Sequence, residues 1–348
     1  MPGPTKAIKQ PSVRTPRITI DDVAREAGVS KGTVSRVLNR RNWVSDSARE
    51  AVTDAMNRTG FVANAAARSL ATRRTGNIAL VLGAPATQLF DDPNYALILQ
   101  VISEELANND YSLVFMTAAT FAERDRLARF LRAKYVDGVA FMSAGEPKAD
   151  DLINLMLEQP IPVVIIGHPF PDGDPLPFVA ADEVEGGKIM ARHFVEQGYS
   201  RIGIVGTHLE SRSARQRVDF FLKGVGTRSK KAWLVEADDY SIAAGRKAMR
   251  TLLSREDKLD AVFATSDMLA AGAISAALEL GLRVPEDIAI AGFDDSPIAS
   301  RTVPQLTTVR QDVAVVAREI VAHLLAAIDG RSSDSHIVPV ELIVRDSA

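Results

Sequence analysis

From residue 77 onward, short apolar runs alternate with amphipathic stretches, and this alternation limits the possible folds more than any other feature of the chain. Runs such as 78–82, 138–142 and 261–264 are continuously apolar, which is typical of strands buried on both faces of a parallel sheet. The stretches between them place apolar residues every three or four positions and therefore predict helices. Strands that alternate with helices indicate an α/β fold with doubly wound parallel sheets. The pattern runs through two successive halves, which predicts two lobes.

The predicted elements of this region follow from those runs. The strands are expected at 78–82, 112–116, 138–142, 162–166, 201–205, 232–235, 261–264, 288–291 and 337–344. The helices are expected at 95–108, 122–133, 149–157, 183–197, 212–224, 241–253, 266–280 and 311–328.

A different pattern precedes this region, at residues 18–39. Thr19 can cap a first helix, with Asp22 as an acidic variant of the capping box, and Gly28 can end it. Ser30 can cap a second helix that has an apolar stripe on one face and small polar or basic residues on the other. This is the pattern of a helix-turn-helix whose second helix can enter the major groove of DNA. An ordinary αα-hairpin with solvated charges is the alternative.

A third helix, capped by Ser45 and ended by Gly60, completes an all-α head at 18–60. Residues 1–17 contain Pro and Lys without an apolar run, so we expect a disordered basic tail. Residues 61–76 contain a short alanine-rich stretch that barely forms a helix by itself in water. This segment is therefore predicted to be a linker that folds only when something supports it.

The charge of the chain is unevenly distributed. Residues 1–76 contain 14 Lys and Arg against 6 Asp and Glu, whereas residues 77–348 contain 27 against 38. A basic head on an acidic body suits phosphate binding by one end of the molecule. Double-stranded nucleic acid is thus a predicted partner of the head.

Several other classes of protein are disfavoured. The chain has no cysteine, and its five histidines lack metal-ligand spacing. No complete dinucleotide fingerprint, P-loop or nucleophile elbow occurs. Asp294 and Asp295 could be paired carboxylates for hydrolysis. The simpler interpretation is that one of them binds a ligand and the other caps a helix. No apolar run is long enough to span a membrane, and the N-terminus lacks a secretory signal. We therefore predict a cytoplasmic protein that is not an enzyme and has neither cofactor nor metal.

The segments 22–24, 28–30 and 33–39 resemble the DNA-binding signature of the lac repressor family of bacterial transcription regulators, and 292–295 and 306–311 resemble parts of its sensor domain. The resemblance extends from about Thr19 almost to the C-terminus. It implies a helix-turn-helix head, a hinge helix at 61–76, and an α/β two-lobed sensor domain like the periplasmic binding proteins at 77–348. In that family the chain crosses between the lobes more than once. By this resemblance the N-lobe would comprise about 77–180 and 311–334, and the C-lobe about 181–310 and 335–348.

The resemblance and the helix pattern together predict a DNA-binding surface. Arg36 could read a guanine edge and Lys31 a guanine or a phosphate, whereas Gly32 has no side chain for direct readout. Leu70 matches the apolar residue that the family inserts into the minor groove, with an ordinary interdomain contact as the alternative. Ala63 stands where the family often has Pro. The complete predicted set is Thr19, Ser30, Lys31, Gly32, Thr33, Ser35, Arg36, Asn39, Asn64, Ala67 and Leu70.

The predicted effector site lies beyond the carboxyl ends of the strands, where doubly wound sheets bind ligands. Arg217 looks like the family's ligand arginine and Asp294 like its hydroxyl-binding carboxylate. A structural ion pair between the lobes is the alternative for these two residues. The complete predicted set is Asn94, Tyr95, Arg217, Tyr240, Ser266, Asp294 and Gln311.

Two departures from the family weaken a sugar interpretation: Gly167 stands where an Asp is common, and Ser266 where an Asn is common. The predicted effector is a sugar, a sugar phosphate or a related small metabolite. A nucleobase, another metabolite and no small molecule at all are the alternatives. The predicted function is a ligand-responsive, sequence-specific DNA-binding transcription regulator, most simply a repressor, acting as a homodimer on a pseudo-palindromic operator. A solute-binding protein and an α/β enzyme are distant alternatives.

Overall fold

The computed structural model describes residues 18–38, 44–61, 74–143, 149–168, 176–226, 231–255, 258–332 and 334–348. The chain divides into two compact units, Met1–Thr75 and Gly76–Ala348, here called the head and the body. The predicted tail at 1–17 and most of the predicted hinge at 61–76 lie outside the described residues. Over the described ranges, no helix has the length and apolar character needed to cross a membrane.

The head contains the three helices that the sequence predicts, with their predicted ends. They are α1 (Ile20–Ala27), α2 (Lys31–Leu38) and α3 (Asp46–Thr59). Thr19 and Asp22 form the capping box, and Gly28 has the left-handed conformation, with a φ of 67°, that ends α1. The Ser30 hydroxyl accepts a hydrogen bond from the Thr33 N–H at 3.1 Å and so caps α2. The helix-turn-helix prediction is confirmed.

The core of the head is small because only one face of each short helix is apolar. Five residues are buried there: Val23, Ala24, Val34, Val52 and Ala55. A domain of this size buries a modest share of its surface and is correspondingly marginal in stability.

The body contains two six-stranded sheets. The first consists of β1 (Asn77–Leu82), β2 (Ser112–Thr117), β3 (Gly138–Met142), β4 (Val163–Ile166), β5 (Phe178–Ala181) and β11 (His336–Val338). Its order is β11-β5-β4-β3-β1-β2, and all its strand pairs are parallel. The second consists of β6 (Arg201–Gly206), β7 (Lys231–Glu236), β8 (Ala261–Ala264), β9 (Ala289–Asp294), β10 (Thr307–Gln311) and β12 (Val340–Ile343). Its order is β12-β10-β9-β8-β6-β7, and β12 alone is antiparallel to its neighbour.

The helices of the body connect these strands. They are α4 (Gln88–Asp91), α5 (Pro93–Asn108), α6 (Phe121–Arg132), α7 (Ala149–Leu157), α8 (Glu183–Glu196), α9 (Arg212–Val225), α10 (Ile242–Leu253), α11 (Asp267–Glu279) and α12 (Val313–Ile328).

Each sheet is covered on both faces, as continuous apolar strands require. Alternate residues of β1 show this directly. Ile78, Leu80 and Leu82 pack with residues of α5 and α12 on one face. Ala79 and Val81 pack with residues of α6 and α7 on the other. The second sheet packs α10 and α11 on one face and α8 and α9 on the other. This confirms the predicted fold class of a two-lobed, doubly wound α/β body.

The predicted strand at 337–344 is wrong, because the structure divides it between the two lobes. β11 pairs with β5 in the first sheet, and β12 pairs with β10 in the second. Pro339 separates them, and its missing N–H cannot donate to a strand ladder. The chain therefore crosses between lobes at 339 instead of about 335. It also crosses after Ala181 and after Gln311, which lies in β10 of the second sheet instead of beginning a helix.

Candidate ligand cavity and nucleic-acid interface

A cavity of about 170 Å³ lies between the two sheets of the body. The first lobe lines it with residues at the ends of β3 and β4, within β5, and at the starts of α5 and α12. The second lobe lines it with the starts of α8 and α9, Tyr240 and the ends of β9 and β10. This is the strand edge at which doubly wound sheets bind ligands. Of the seven residues predicted for an effector, the structure brings six to this cavity: Asn94, Tyr95, Arg217, Tyr240, Asp294 and Gln311.

Arg217 lies in α9 and is almost fully buried. Its Nε and Nη2 donate to the Glu183 carboxylate, with an Nη2–Oε1 distance of 2.9 Å. Its Nη1 donates to the Thr265 carbonyl at 2.8 Å and lies 3.5 Å from Asp294 Oδ1. The guanidinium carbon is 3.9 Å from the centre of the Phe293 ring. Burial alone would lower the pKa of Arg217, but the Glu183 and Asp294 carboxylates raise it, so the side chain stays charged.

The ion pair of Arg217 with Glu183 joins α8 to α9 inside the second lobe. It is therefore not the pair between lobes that the sequence left open as an alternative. Glu183 was missed by the sequence analysis. Its position as the first residue of a predicted helix was visible, but its distance from Arg217 depends on how α8 and α9 pack.

Asp294 ends β9 in a backbone conformation with a φ of 115°, which few non-glycine residues adopt. Its Oδ1 accepts a hydrogen bond from Gln311 Nε2 at 2.5 Å. Burial raises the pKa of Asp294 well above its ordinary value. A ligand hydroxyl or amine that donates to this carboxylate would relieve the cost of burying it.

Asp92, which the sequence analysis also missed, faces the cavity from the first lobe. Its Oδ1 accepts from the Asn94 N–H at 2.9 Å and caps α5, and burial raises its pKa. The Asp-Pro pair at 92–93 is a helix-start signal that could have indicated this cap. Acidic acceptors therefore reach the cavity from both lobes.

The remaining walls are aromatic and apolar. Tyr240 stacks on His208, with ring centres 5.4 Å apart and planes 29° apart. Burial raises the pKa of both Tyr240 and Tyr95, so their hydroxyls stay protonated and can donate. The apolar part of the first-lobe wall comprises Ile98, Met142, Ile166, Val179, Val313 and Val316. One face of a ligand would thus meet apolar surface while its polar groups meet carboxylates.

A direct contact joins the two lobes beside the cavity. His168, which follows β4, is buried and packs on Phe178 with ring centres 4.0 Å apart. The backbone N–H of His168 donates to the Ser213 hydroxyl at 3.1 Å, and its backbone carbonyl accepts from the Ser213 N–H at 3.1 Å. Gly167 has a φ of 84°, so a side chain such as the family's Asp would be strained there.

Two sequence-based interpretations are not supported by the structure. Ser266 does not line the cavity; it is buried, and its hydroxyl accepts from the Leu269 N–H at 3.3 Å to cap α11. Asp295 is not a cap, because its carboxylate accepts hydrogen bonds from Arg310 Nε and Arg345 Nη2, each at 2.6 Å. Both roles depend on side-chain directions that a sequence motif does not specify.

The described residues of the predicted DNA surface of the head are exposed or half-buried. Lys31, Gly32 and Arg36 are exposed on α2, and Lys31 Nζ lies 2.9 Å from Asp21 Oδ2. The Ser30 and Thr33 hydroxyls lie 2.9 Å apart, and Ser35 is half-buried. The predicted residues Asn39, Asn64, Ala67 and Leu70 lie outside the described residues.

A helix-turn-helix head joined to a two-lobed body with a cavity between its lobes defines the class of ligand-responsive DNA-binding regulators. Residues 19–64 match the bacterial regulatory proteins of the lacI family, and residues 191–348 match the periplasmic binding protein-like domain. The chain is 34% identical to the HTH-type transcriptional regulator CelR of Thermobifida fusca, over 96% of this chain and 99% of that relative. The chain belongs to the LacI family of bacterial regulatory proteins.

Three further similarities agree with this assignment. The HTH-type transcriptional repressor PurR of Mannheimia succiniciproducens is 32% identical over 94% of this chain and 98% of its own length. The lac repressor dimer bound to operator and the anti-inducer ONPF has a TM-score of 0.79 at 26% identity, covering 95% of this chain and 98% of that one. A solved complex of CelR with cellobiose has a TM-score of 0.73 at 31% identity, covering 95% and 100%.

Proposed function

We propose that this chain is a transcriptional repressor that binds a pseudo-palindromic operator as a homodimer. A small polar effector weakens or strengthens this binding. The observation that carries this proposal is the cavity between the lobes, which collects acidic, aromatic and apolar side chains on the same chain as an exposed helix-turn-helix. We propose a cytoplasmic location, where a regulator meets chromosomal DNA, and a binding rather than a catalytic role for the cavity.

On the DNA side, α2 is the proposed recognition helix. Arg36 is exposed on it and can bind guanine O6 and N7 with two hydrogen bonds. Lys31 forms an exposed ion pair with Asp21, a type of contact that contributes little free energy, so a phosphate can replace the carboxylate. Thr19, Ser30, Thr33, Ser35 and Asn39 are proposed for phosphate contacts that position the head.

The proposals of a homodimer and of a hinge that binds DNA rest on the family relationship. The related lac repressor is a dimer when bound to operator. By analogy, two heads would read two half-sites, while Asn64, Ala67 and Leu70 of each hinge would meet the minor groove between them.

We propose a sugar or a related polar metabolite as the effector. The related CelR binds cellobiose. In this chain Asp92, Asp294 and Gln311 offer acceptors and donors for hydroxyl groups, and Tyr240 offers a flat ring for a sugar face. By linkage, the effector changes DNA affinity only through its different affinities for two states of the body, typically by ~1–3 kcal/mol.

The test is a binding-site selection with the full-length protein, followed by titration of the selected duplex in the presence of candidate sugars. Arg36→Ala should weaken binding to the selected site by roughly 1–3 kcal/mol and relax the sequence preference at one base pair. Arg58→Ala, which removes an exposed charge from α3, is the matched control and should keep the preference. A protein with no salt-sensitive preference for any duplex would refute the proposal.

Asp294→Asn separates sensing from DNA binding. The variant should bind the selected duplex as the wild type does, because Asp294 lies in the body. It should no longer respond to the effector, because the amide replaces a charged acceptor with a weaker neutral one. An unchanged effector response in a fluorescence-anisotropy titration would remove Asp294 from the effector site.

A further inference from the structure

The guanidinium of Arg217, which lines the cavity, already donates hydrogen bonds to groups of the protein itself. Arginine binds carboxylates and phosphates best through two adjacent N–H groups, and in Arg217 the Nε and Nη2 edge is taken by Glu183. Nη1 is directed to the Thr265 carbonyl and to Asp294. An anionic group of a ligand would have to displace a buried carboxylate from its partner, which leaves that carboxylate unpaired.

The rest of the cavity wall is acidic. Among the described residues that line it, Arg217 is the one Lys or Arg, whereas Asp92, Glu183 and Asp294 contribute carboxylates. Asp92 faces the cavity from the first lobe and the other two from the second, so the acidic groups surround the ligand position. Burial raises the pKa of both Asp92 and Asp294, and the nearby Arg217 offsets this effect only in part.

Most helix starts near the cavity carry an acidic side chain where an anion would otherwise bind. A helix N-terminus attracts phosphate through its unpaired N–H groups. Three of these starts have an acidic cap: Asp92 accepts from the Asn94 N–H of α5, Asp182 from the Glu185 N–H of α8, and Asp312 from the Val315 N–H of α12. The start of α9 is capped by the Ser211 hydroxyl, which accepts from the Ala214 N–H at 3.3 Å, while the Ser213 N–H donates to the His168 carbonyl.

We infer that this cavity selects a neutral or cationic ligand rich in hydrogen-bond donors and rejects phosphorylated and carboxylated ones, and that Glu183 sets this preference by occupying the Arg217 guanidinium. This inference rests on the proposed effector-binding function of the cavity and narrows it, because sugar phosphates and other anionic metabolites are excluded. A polyol or an amino sugar fits such a wall of acceptors.

The first experiment uses calorimetry on the full-length wild type with probes that share a scaffold and differ in charge: glucose, glucosamine and glucose 6-phosphate, then adenosine and adenosine monophosphate. In any series with a binding member, the phosphorylated member should bind at least tenfold more weakly than the neutral one. A phosphorylated member that binds as tightly as its neutral counterpart would overturn the inference.

The second experiment uses inorganic phosphate as the probe and needs no natural ligand. Glu183→Gln removes the negative charge but keeps an acceptor beside Arg217, so this variant should gain phosphate affinity at least tenfold over the wild type. Glu185→Gln is the matched control, because Glu185 lies on the same first turn of α8, outside the cavity lining, with an exposed side chain. It should bind phosphate as weakly as the wild type. A folded Glu183→Gln protein with no gain over Glu185→Gln would refute the role of Glu183.

The two proposals fail in different ways. Loss of any salt-sensitive duplex preference would refute the repressor function and leave the charge preference of the cavity measurable by calorimetry. Tight binding of a phosphorylated probe would refute the charge preference and leave the DNA-binding function standing.

Discussion

Asp267 shows how one buried carboxylate can position another. It is fully buried at the start of α11, where its Oδ1 accepts from the Thr308 hydroxyl at 2.6 Å and its Oδ2 from the Ser296 N–H at 2.7 Å. These bonds hold the turn after β9, in which Asp294 and Asp295 both have positive φ. Asp267 is therefore a positioning residue for the cavity carboxylate of Asp294.

Asp267 should also make the stability of the body depend on pH. Burial raises its pKa from 3.8 to about 7. A carboxyl whose folded pKa exceeds its unfolded value contributes most stability below the unfolded pKa and loses that contribution as the pH rises through the folded pKa. The wild type should therefore lose stability relative to Asp267→Asn between pH 5 and 8, by about 1 kcal/mol or more.

Urea unfolding of both proteins across that range measures the difference. Asp239→Asn, which neutralises an exposed carboxylate in the same lobe, is the control and should follow the wild-type profile. Parallel pH profiles for the wild type and Asp267→Asn would show that Asp267 does not titrate in this range.

Sequence motifs predicted most of the residues that line the cavity, but they did not predict how its charged side chains pair. Six of the seven predicted effector residues line it, because strand ends in a parallel sheet converge on one edge. The positions of Arg217 and Asp294 could be predicted from local patterns. The pairing of Arg217 with Glu183 could not, since the two residues are 34 positions apart and meet only when two helices pack.

At the scale of elements, local signals were sufficient where a side chain and its own backbone decide the outcome. The caps at Thr19 and Ser45 and the helix-ending glycines Gly28 and Gly60 all adopt the predicted conformations. The strands β5 and β10 were missed; β10, Thr-Thr-Val-Arg-Gln, is too polar to look buried. Both become strands because neighbouring strands supply their hydrogen-bond partners.

Two glycines of the head should respond to alanine in opposite directions. Gly28 has a φ of 67°, where a Cβ is strained, so Gly28→Ala should destabilise the head by roughly 1 kcal/mol. Gly32 lies within α2 without a positive φ, and its nearest neighbour to an added Cβ is the Ser30 hydroxyl at 3.6 Å. Gly32→Ala should therefore stabilise the head by about 0.5–1 kcal/mol.

Hydrogen exchange of the α1–α3 amides in the full-length protein measures both effects without removing the body. The two variants control for each other, because each adds one methyl group to the same small unit. Equal changes in amide protection would contradict the assigned conformations of the two glycines.

At the scale of the whole molecule, the two units have opposite charge and separate tasks. The acidic body holds a cavity whose walls belong to two lobes, so a ligand there contacts both lobes at once. The same lobes are already joined beside the cavity by three hydrogen bonds between His168 and Ser213. One substitution can therefore weaken this contact between the lobes.

Ser213→Ala removes the hydroxyl that accepts from the His168 backbone N–H at 3.1 Å and donates more weakly to the His168 carbonyl at 3.4 Å. It keeps the backbone bond from the Ser213 N–H to the His168 carbonyl. One hydrogen bond contributes about 1 kcal/mol, which corresponds to a roughly fivefold change in a two-state equilibrium. Because the chain has no cysteine, spin labels can be placed at Arg132→Cys in the first lobe and Lys223→Cys in the second. The variant should show a larger share of long distances between the labels. Ser241→Ala removes a helix-capping hydroxyl from the same lobe without touching the first, so its distances should match the wild type. If Ser213→Ala also matches it, the contact with His168 does not hold the lobes together, and the lobe position must depend on the chain crossings alone.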